Sequence, residues 1–405
     1  MSSEQQRGIS VVVADDDEGL AQGWAAEIRK NPQVTAESLS SGDFAQSVTG
    51  LMDRQRRFRA AQNFENDERL PIEDCDVLIV DFDLIDLKDF PNLTAHTVAY
   101  LASNFTDIPL IGILNLYRKG DFDLTLGPRT DVRADLHLRS SHVGTPGLWS
   151  DHRDDYHPWS WPLVSKEVEL WPERISEAGK ILNQGVLDWL DLDQDAIPES
   201  ALDILGQASG KLADLTMIQW ITNAPCALEG KDLEAFGANR DSLNDAFKAR
   251  ILTRAMKRWL DLQVLPAQYP LCDLPHAYLR LPRMFKNGNT ARLLDCITRL
   301  DLNHDALRDL LQRDVREYVW RRNNWLSRPA IHWARLMNDS GKLQHLFELE
   351  FDQGTSDLVF LEDCSKFGPL SDAHRFRADF DVSDNVRFIK KLPNIQYFPA
   401  ARLAE

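Results

Sequence analysis

Through the first 145 or so residues, short aliphatic runs alternate with amphipathic stretches. Ile9 to Leu20 (ISVVVADDDEGL) and Cys75 to Leu84 (CDVLIVDFDL) each hold an apolar run that stops at aspartates. Runs of this length, bounded by polar clusters, predict buried parallel strands. Between them, Gly19 to Lys30 repeats apolar residues at Leu20, Trp24, Ala25 and Ile28, the spacing of a helix. A strand over VTAESL follows, then a helix from Ser41 that runs on through Arg59. That extension introduces a charged insertion near residues 53–72, expected as a solvated helix-loop, with docking of a partner as the sharper alternative. Thr94 to Phe105 predicts a third helix, Ile108 to Asn115 a fourth strand, and the region of Leu136 a fifth.

The pattern then changes. Residues 147–172 are rich in Trp and Pro and read as an ordered linker packing aromatics between domains. Residues 173–350 are mainly helical. Asp241 is positioned to cap a helix with an apolar face of Leu243, Phe247, Ile251, Ala255 and Trp259 and a basic opposite face, and Asp305 to Trp320 repeats the design. In residues 351–405 the stretches Phe376–Val382 and Val386–Leu392 alternate, and Ile395 to Leu403 offers a third short segment, so a small β-rich subdomain is expected. The fold class is therefore multidomain: an α/β doubly wound sheet over 1–146, the linker, a helical domain and the β-rich tail.

Composition sets limits on this picture. With 43% hydrophobic and 27% charged residues the chain suits globular domains, and no apolar run approaches the about 18 residues needed to span a membrane. A start of MSSEQQRG has no signal-peptide core, which makes the cytoplasm the expected compartment. The five cysteines are widely spaced, without a CxxC pair. A net charge of −17 argues against broad binding to nucleic acid or anionic membrane. Between Arg240 and Arg335, however, 18 Lys and Arg face 10 Asp and Glu, so a basic middle stands beside an acidic amino-terminal part. Its faces either dock on those acids or make a nucleic-acid surface.

The acids at the strand ends carry the clearest chemistry. Asp15, Asp16 and Asp81 would converge on the carboxyl edge of a parallel sheet, where open α/β folds keep their sites. Gathered there, they would repel one another unless a hard cation such as Mg2+ lay between them. The bland alternative is that aspartates end strands because they favour turns.

This stretch resembles a response-regulator receiver domain, over about a third of the chain. The resemblance implies a flavodoxin-like fold, Asp15 and Asp16 with Asp81 as Mg2+ ligands, and Asp81 as the phosphoacceptor. It departs at two switch positions. The fourth strand should end in Thr or Ser and a small residue, but Leu114 and Asn115 stand there. The fifth should end in Lys-Pro, but the chain offers Ser140-Ser141, or Arg139 with a one-residue slip. Leu114 can neither bond a phosphoryl group nor transmit its arrival, whereas Asn115 could donate a hydrogen bond and Arg139 could supply a cation. A rewired switch and a pseudo-receiver used only for docking both fit.

Further along, Asp151, His152, Asp154, Asp155 and His157 are a loose metal-ligand mixture for which linker polarity is the preferred reading. His304-Asp305 and Glu362 are weak candidates for a catalytic effector. The expectation is a cytoplasmic two-component-type signalling protein, phosphorylated by a histidine kinase or docked to another signalling protein, whose helical domain acts through a protein partner. The alternatives are a DNA-binding response regulator using 240–335, and an effector enzyme that processes nucleic acid or nucleotides.

Overall fold

The computed structural model describes residues 8–64, 68–85, 87, 90–117, 120–126, 133–151, 155–191, 215–221, 228–286, 288–347, 357–378 and 386–403. The amino-terminal part is a parallel sheet of β1 (Ile9–Ala14), β2 (Val34–Ser38), β3 (Val77–Asp81), β4 (Leu110–Leu114) and β6 (Leu136–Leu138), in the order β2-β1-β3-β4-β6. The two-residue strand β5 (Phe122–Asp123) lies outside it. This strand order is compatible with a flavodoxin-like fold.

Alternation along the strands divides the packing. Val12, Leu78, Val80, Ile111 and Ile113 point to one face, against α2 (Ser41–Arg59) and α3 (Ala95–Phe105). Val11, Val13, Val77, Ile79 and Leu114 point to the other, where α1 (Glu18–Ile28) buries Ala21, Ala25 and Ile28. Asp17 caps α1, accepting from the N–H groups of Gly19 and Leu20, so the aspartate run that ends β1 also starts its helix. Ser40 and Thr94 do the same for α2 and α3.

Among the described residues, no helix follows β4 before β6. Two later helices pack against this part of the sheet: α4 (Val164–Ile181) contacts β4, and α6 (Asp245–Trp259) contacts α3. One apolar cluster runs without a break from Val12 and Phe44 through Phe105 to Phe247, Trp259 and Trp325. The junction is part of the interior too, with Trp149, Trp159 and Trp161 buried.

Two expectations for the helices change. The basic face of α6 points inward. Arg250, Arg254 and Arg258 are all buried, and they meet Asp107 at 2.8 Å and Asp135 at 3.5 and 3.2 Å. The stretch from Asp305 to Trp320 is not one helix. It breaks into His304–Leu310 and a 3-10 segment, Arg313–Tyr318, because Leu311 and Gln312 are extended and Phe285 bridges to Leu311.

The charged end of α2 is likewise engaged within the chain. Asp232, on α5 (Gly230–Asn239), is 1% exposed and accepts from Gln55 at 2.6 Å, Arg59 at 2.5 Å and the Tyr100 hydroxyl at 2.8 Å.

Beyond α6 the chain forms β7 (Leu271–Asp273), paired antiparallel with β8 (Ala330–His332), and α7 (Leu274–Arg280). A small mixed sheet follows, of β9 (Leu358–Leu361), β10 (Lys366–Pro369), β11 (His374–Arg377) and β12 (Val386–Ile389), in the order β10-β9-β12-β11. Part of the expected strand Phe376–Val382 lies outside the described residues. Among the described residues, the backbone of the last segment pairs with this sheet only at an isolated antiparallel bridge from Leu403 to Phe376 of β11. Its strand β13 (Tyr397–Phe398) pairs in parallel with β5, and Tyr397 packs on Phe122 with ring centroids 5.7 Å apart. Gly120 permits the approach: its φ is +81°, and a Cβ there would lie 2.8 Å from the Gln396 carbonyl oxygen.

Candidate functional site at the carboxyl edge of the sheet

Parallel pairing of β1 and β3, with Ala14 beside Val80, brings the residues that follow each strand to one edge. Asp15 and Asp81 are both buried there, 1% and 5% exposed, while Asp16 is half-buried. Each buried carboxylate has one oxygen satisfied locally: the Asp17 N–H donates to Asp15 Oδ1 at 2.9 Å and the Asp83 N–H to Asp81 Oδ2 at 2.8 Å. The other oxygen of each, Asp15 Oδ2 and Asp81 Oδ1, is buried without a hydrogen-bond partner among the described residues.

Burial pushes the Asp15 carboxyl up to about 7, against the Asp17 N–H, and repulsion from Asp81 adds to the rise. Burial also raises Asp81, opposed by the N–H groups of Asp83 and Phe82. Such a pair has an unmet need for a positive group.

Among the described residues no three His, Cys, Asp or Glu side chains converge as a metal cage. Asp15 and Asp81 do present two carboxylates with free buried oxygens, which suits a Mg2+ ion that keeps several of its waters.

The switch positions are placed as follows. Leu114 is fully buried, and its carbonyl accepts the Phe82 N–H at 2.7 Å. Asn115 accepts the Tyr117 N–H through its side chain at 2.8 Å, closing a turn. Arg139 forms an ion pair with Asp121 at 3.0 Å, and Ser140 opens a 3-10 turn.

Four of the large apolar side chains exposed on the molecule belong to segments leaving this same edge: Leu20 in the first turn of α1, Ile85 after β3, and Leu116 and Tyr117 after β4. Ile85 is 82% and Tyr117 70% exposed.

The weaker candidates are not brought together. His304 and Asp305 open an exposed helix, whereas Glu362 is buried against His276 at 3.0 Å and Arg387 at 3.5 Å. His152 and Asp154 lie outside the described residues, and the backbone N–H of buried His157 bonds the Asp363 carbonyl.

Sequence reasoning marked one face of α6 as basic, with docking on the acidic amino-terminal part as one alternative, but did not single out the arginines that grip the opposite edge. Arg254 donates to the Ile108 carbonyl, and Arg258 to Ser103 Oγ and the Arg133 carbonyl, both at 2.9 Å. Their i, i+4, i+8 spacing was the available signal. No helix among the described residues is long and apolar enough to cross a membrane. Comparison of the chain with protein families, curated proteins and solved structures returns no match.

Proposed function

We propose that this chain is a receiver-like regulatory protein in which Asp15 and Asp81 take Mg2+ and the surrounding edge docks a signalling partner such as a histidine kinase. The observation that carries this reading is the pair of buried, unpartnered oxygens, Asp15 Oδ2 and Asp81 Oδ1, at the ends of adjacent parallel strands. When bound, Mg2+ would neutralise the pair and screen an incoming phosphoryl group. Asp16, less buried, would bond the ion's waters. Asp81 is the acceptor in this reading: its carboxylate oxygen attacks phosphorus as the donor's bond to phosphorus breaks, P–N with imidazole leaving from a phosphohistidine, or P–O with acetate leaving from acetyl phosphate. Leu20, Ile85, Leu116 and Tyr117 supply the apolar rim that a protein partner would cover.

A second reading, constitutive docking without phosphorylation, is favoured by one observation. The hydroxyl and ammonium that stabilise an acyl phosphate in receivers are replaced here by Leu114, which is packed inside, and by Arg139, which is committed to Asp121. Intact-mass measurement after incubation with Mg2+ and acetyl phosphate separates the two. Gain of one phosphoryl group in the wild type, but not in Asp81→Asn, supports the switch, and an unchanged mass supports the docking module.

The basic region 240–335 fits DNA less well than it fits this chain, because the stripe of α6 is spent on Asp107, Asp135 and backbone carbonyls. Output through a protein partner is the version retained.

A further inference from the structure

Where the amino-terminal sheet, α4, α6 and the small carboxyl-terminal sheet meet, they surround a partly open cavity of about 220 Å³, lined by neither Asp15 nor Asp81. Most of the charge in its wall is internally answered. Glu167 meets Arg174 at 2.6 Å and Lys257 at 3.0 Å, and Asp135 meets Arg258 at 3.2 Å. Glu362 is shared by His276 and Arg387.

Arg328 is the exception. Its side chain lines the cavity and is only 6% exposed, yet no hydrogen bond or ion pair reaches its guanidinium from any described residue. Its close neighbour is the face of Trp159, 4.4 Å from the guanidinium carbon. A guanidinium stays charged, carries five N–H donors in a planar fork, and is costly to bury without an acceptor. A carboxylate or phosphate group matches that fork with two parallel hydrogen bonds. Beside it, Tyr156 and Trp161 give an aromatic wall, and Leu110 and Leu136 an aliphatic one.

We propose that this cavity binds a small organic anion, with its oxyanion head held by Arg328 and its flat apolar body laid against Tyr156, Trp159 and Trp161. The volume admits a small molecule rather than a single water. One cation without a direct hydrogen bond, on whose charge Asp273, Asp261 and Glu362 already act through space, selects a lightly charged head group over a polyphosphate. This site is independent of the one at the sheet edge.

The test is titration calorimetry of the full chain with benzoate and with phenyl phosphate, beside inorganic phosphate and benzyl alcohol. At least one aromatic anion should bind saturably, with a Kd of about 1 mM or tighter, and benzyl alcohol should not. Benzoate alone would assign a carboxylate ligand, and phenyl phosphate alone a phosphate. Binding should weaken about tenfold or more in Arg328→Gln and also in Ser160→Glu, which sets a negative charge at an exposed position on the rim. If Arg328→Gln fails to fold, Ser160→Glu decides. The proposal is overturned if neither aromatic anion binds at about 10 mM, if only inorganic phosphate does, or if affinity is unchanged in the folded variants.

Discussion

The Nε2 atom of His276 stands 3.0 Å from Oε1 of Glu362, and its Nδ1 stands 2.7 Å from Oδ1 of Asp273. Ionised carboxylates only accept, so both ring nitrogens must donate and the imidazole is cationic. It thereby ties α7 to the segment that follows β9.

Burial alone would pull His276 down, but Asp273 and Glu362 outweigh it and hold the imidazole above its usual 6.5. A raised folded-state value means stability that is whole below about 6.5 and lost as pH rises through that higher value. Urea unfolding from about pH 6 to 9 should show the wild type losing stability relative to His276→Gln. That variant, leaving two acids face to face, should cost about 3 kcal/mol near neutral pH. Parallel profiles for the two proteins would contradict the cationic assignment.

His332 should act in the opposite direction. It is 1% exposed, neither ring nitrogen has a hydrogen-bond partner among the described residues, and burial pulls it down to about 4. The folded state then binds fewer protons than the unfolded one. Its stabilising contribution is whole above 6.5 and is lost as pH falls toward about 4, amounting to about 3 kcal/mol. Replacement by Leu should flatten that part of the acid limb; an unaltered slope between those values would exclude the role.

Two arginines on one stripe should differ in weight. Arg258→Ala removes a buried guanidinium bonded to Asp135, Ser103 and the Arg133 carbonyl, and should cost about 3 kcal/mol in chemical unfolding. Arg250 meets Asp107, which is 80% exposed, so loss of that pair should cost about 1 kcal/mol or less, read from Asp107→Asn. Equal costs would show that solvent does not separate these contacts.

Asp232 clamps α5 onto α2 through Gln55, Arg59 and Tyr100. Asp232→Ala should raise amide exchange over 230–239 by tenfold or more, at a cost of about 2 kcal/mol, with β1 and β3 unaffected. Faster exchange throughout the sheet instead would mean that the clamp supports the whole fold.

Strands β1, β3 and β4 were legible because each is an unbroken aliphatic run, and burial on both faces of a parallel sheet demands that composition. The pairing of β5 with β13 was not: each is two residues long, and their partners lie 275 positions apart. The Arg250-Arg254-Arg258 spacing marked a face, but a local pattern does not say whether that face meets water or acids. Asp107 and Asp135, which decide it, come from distant loops. Similarly, Asp15 and Asp81 could be read as neighbours from strand order, while the surroundings of Arg328 could not, since its cavity is assembled from separate segments of the whole chain.

The most direct test of the sheet-edge site is Mg2+ titration calorimetry of the full chain at about pH 8, with Asp15→Asn and Asp81→Asn alongside. The account expects saturable binding with 1:1 stoichiometry in the wild type and a loss of about tenfold or more in each variant. No heat of binding in the wild type, or equal affinity in all three proteins, would contradict it.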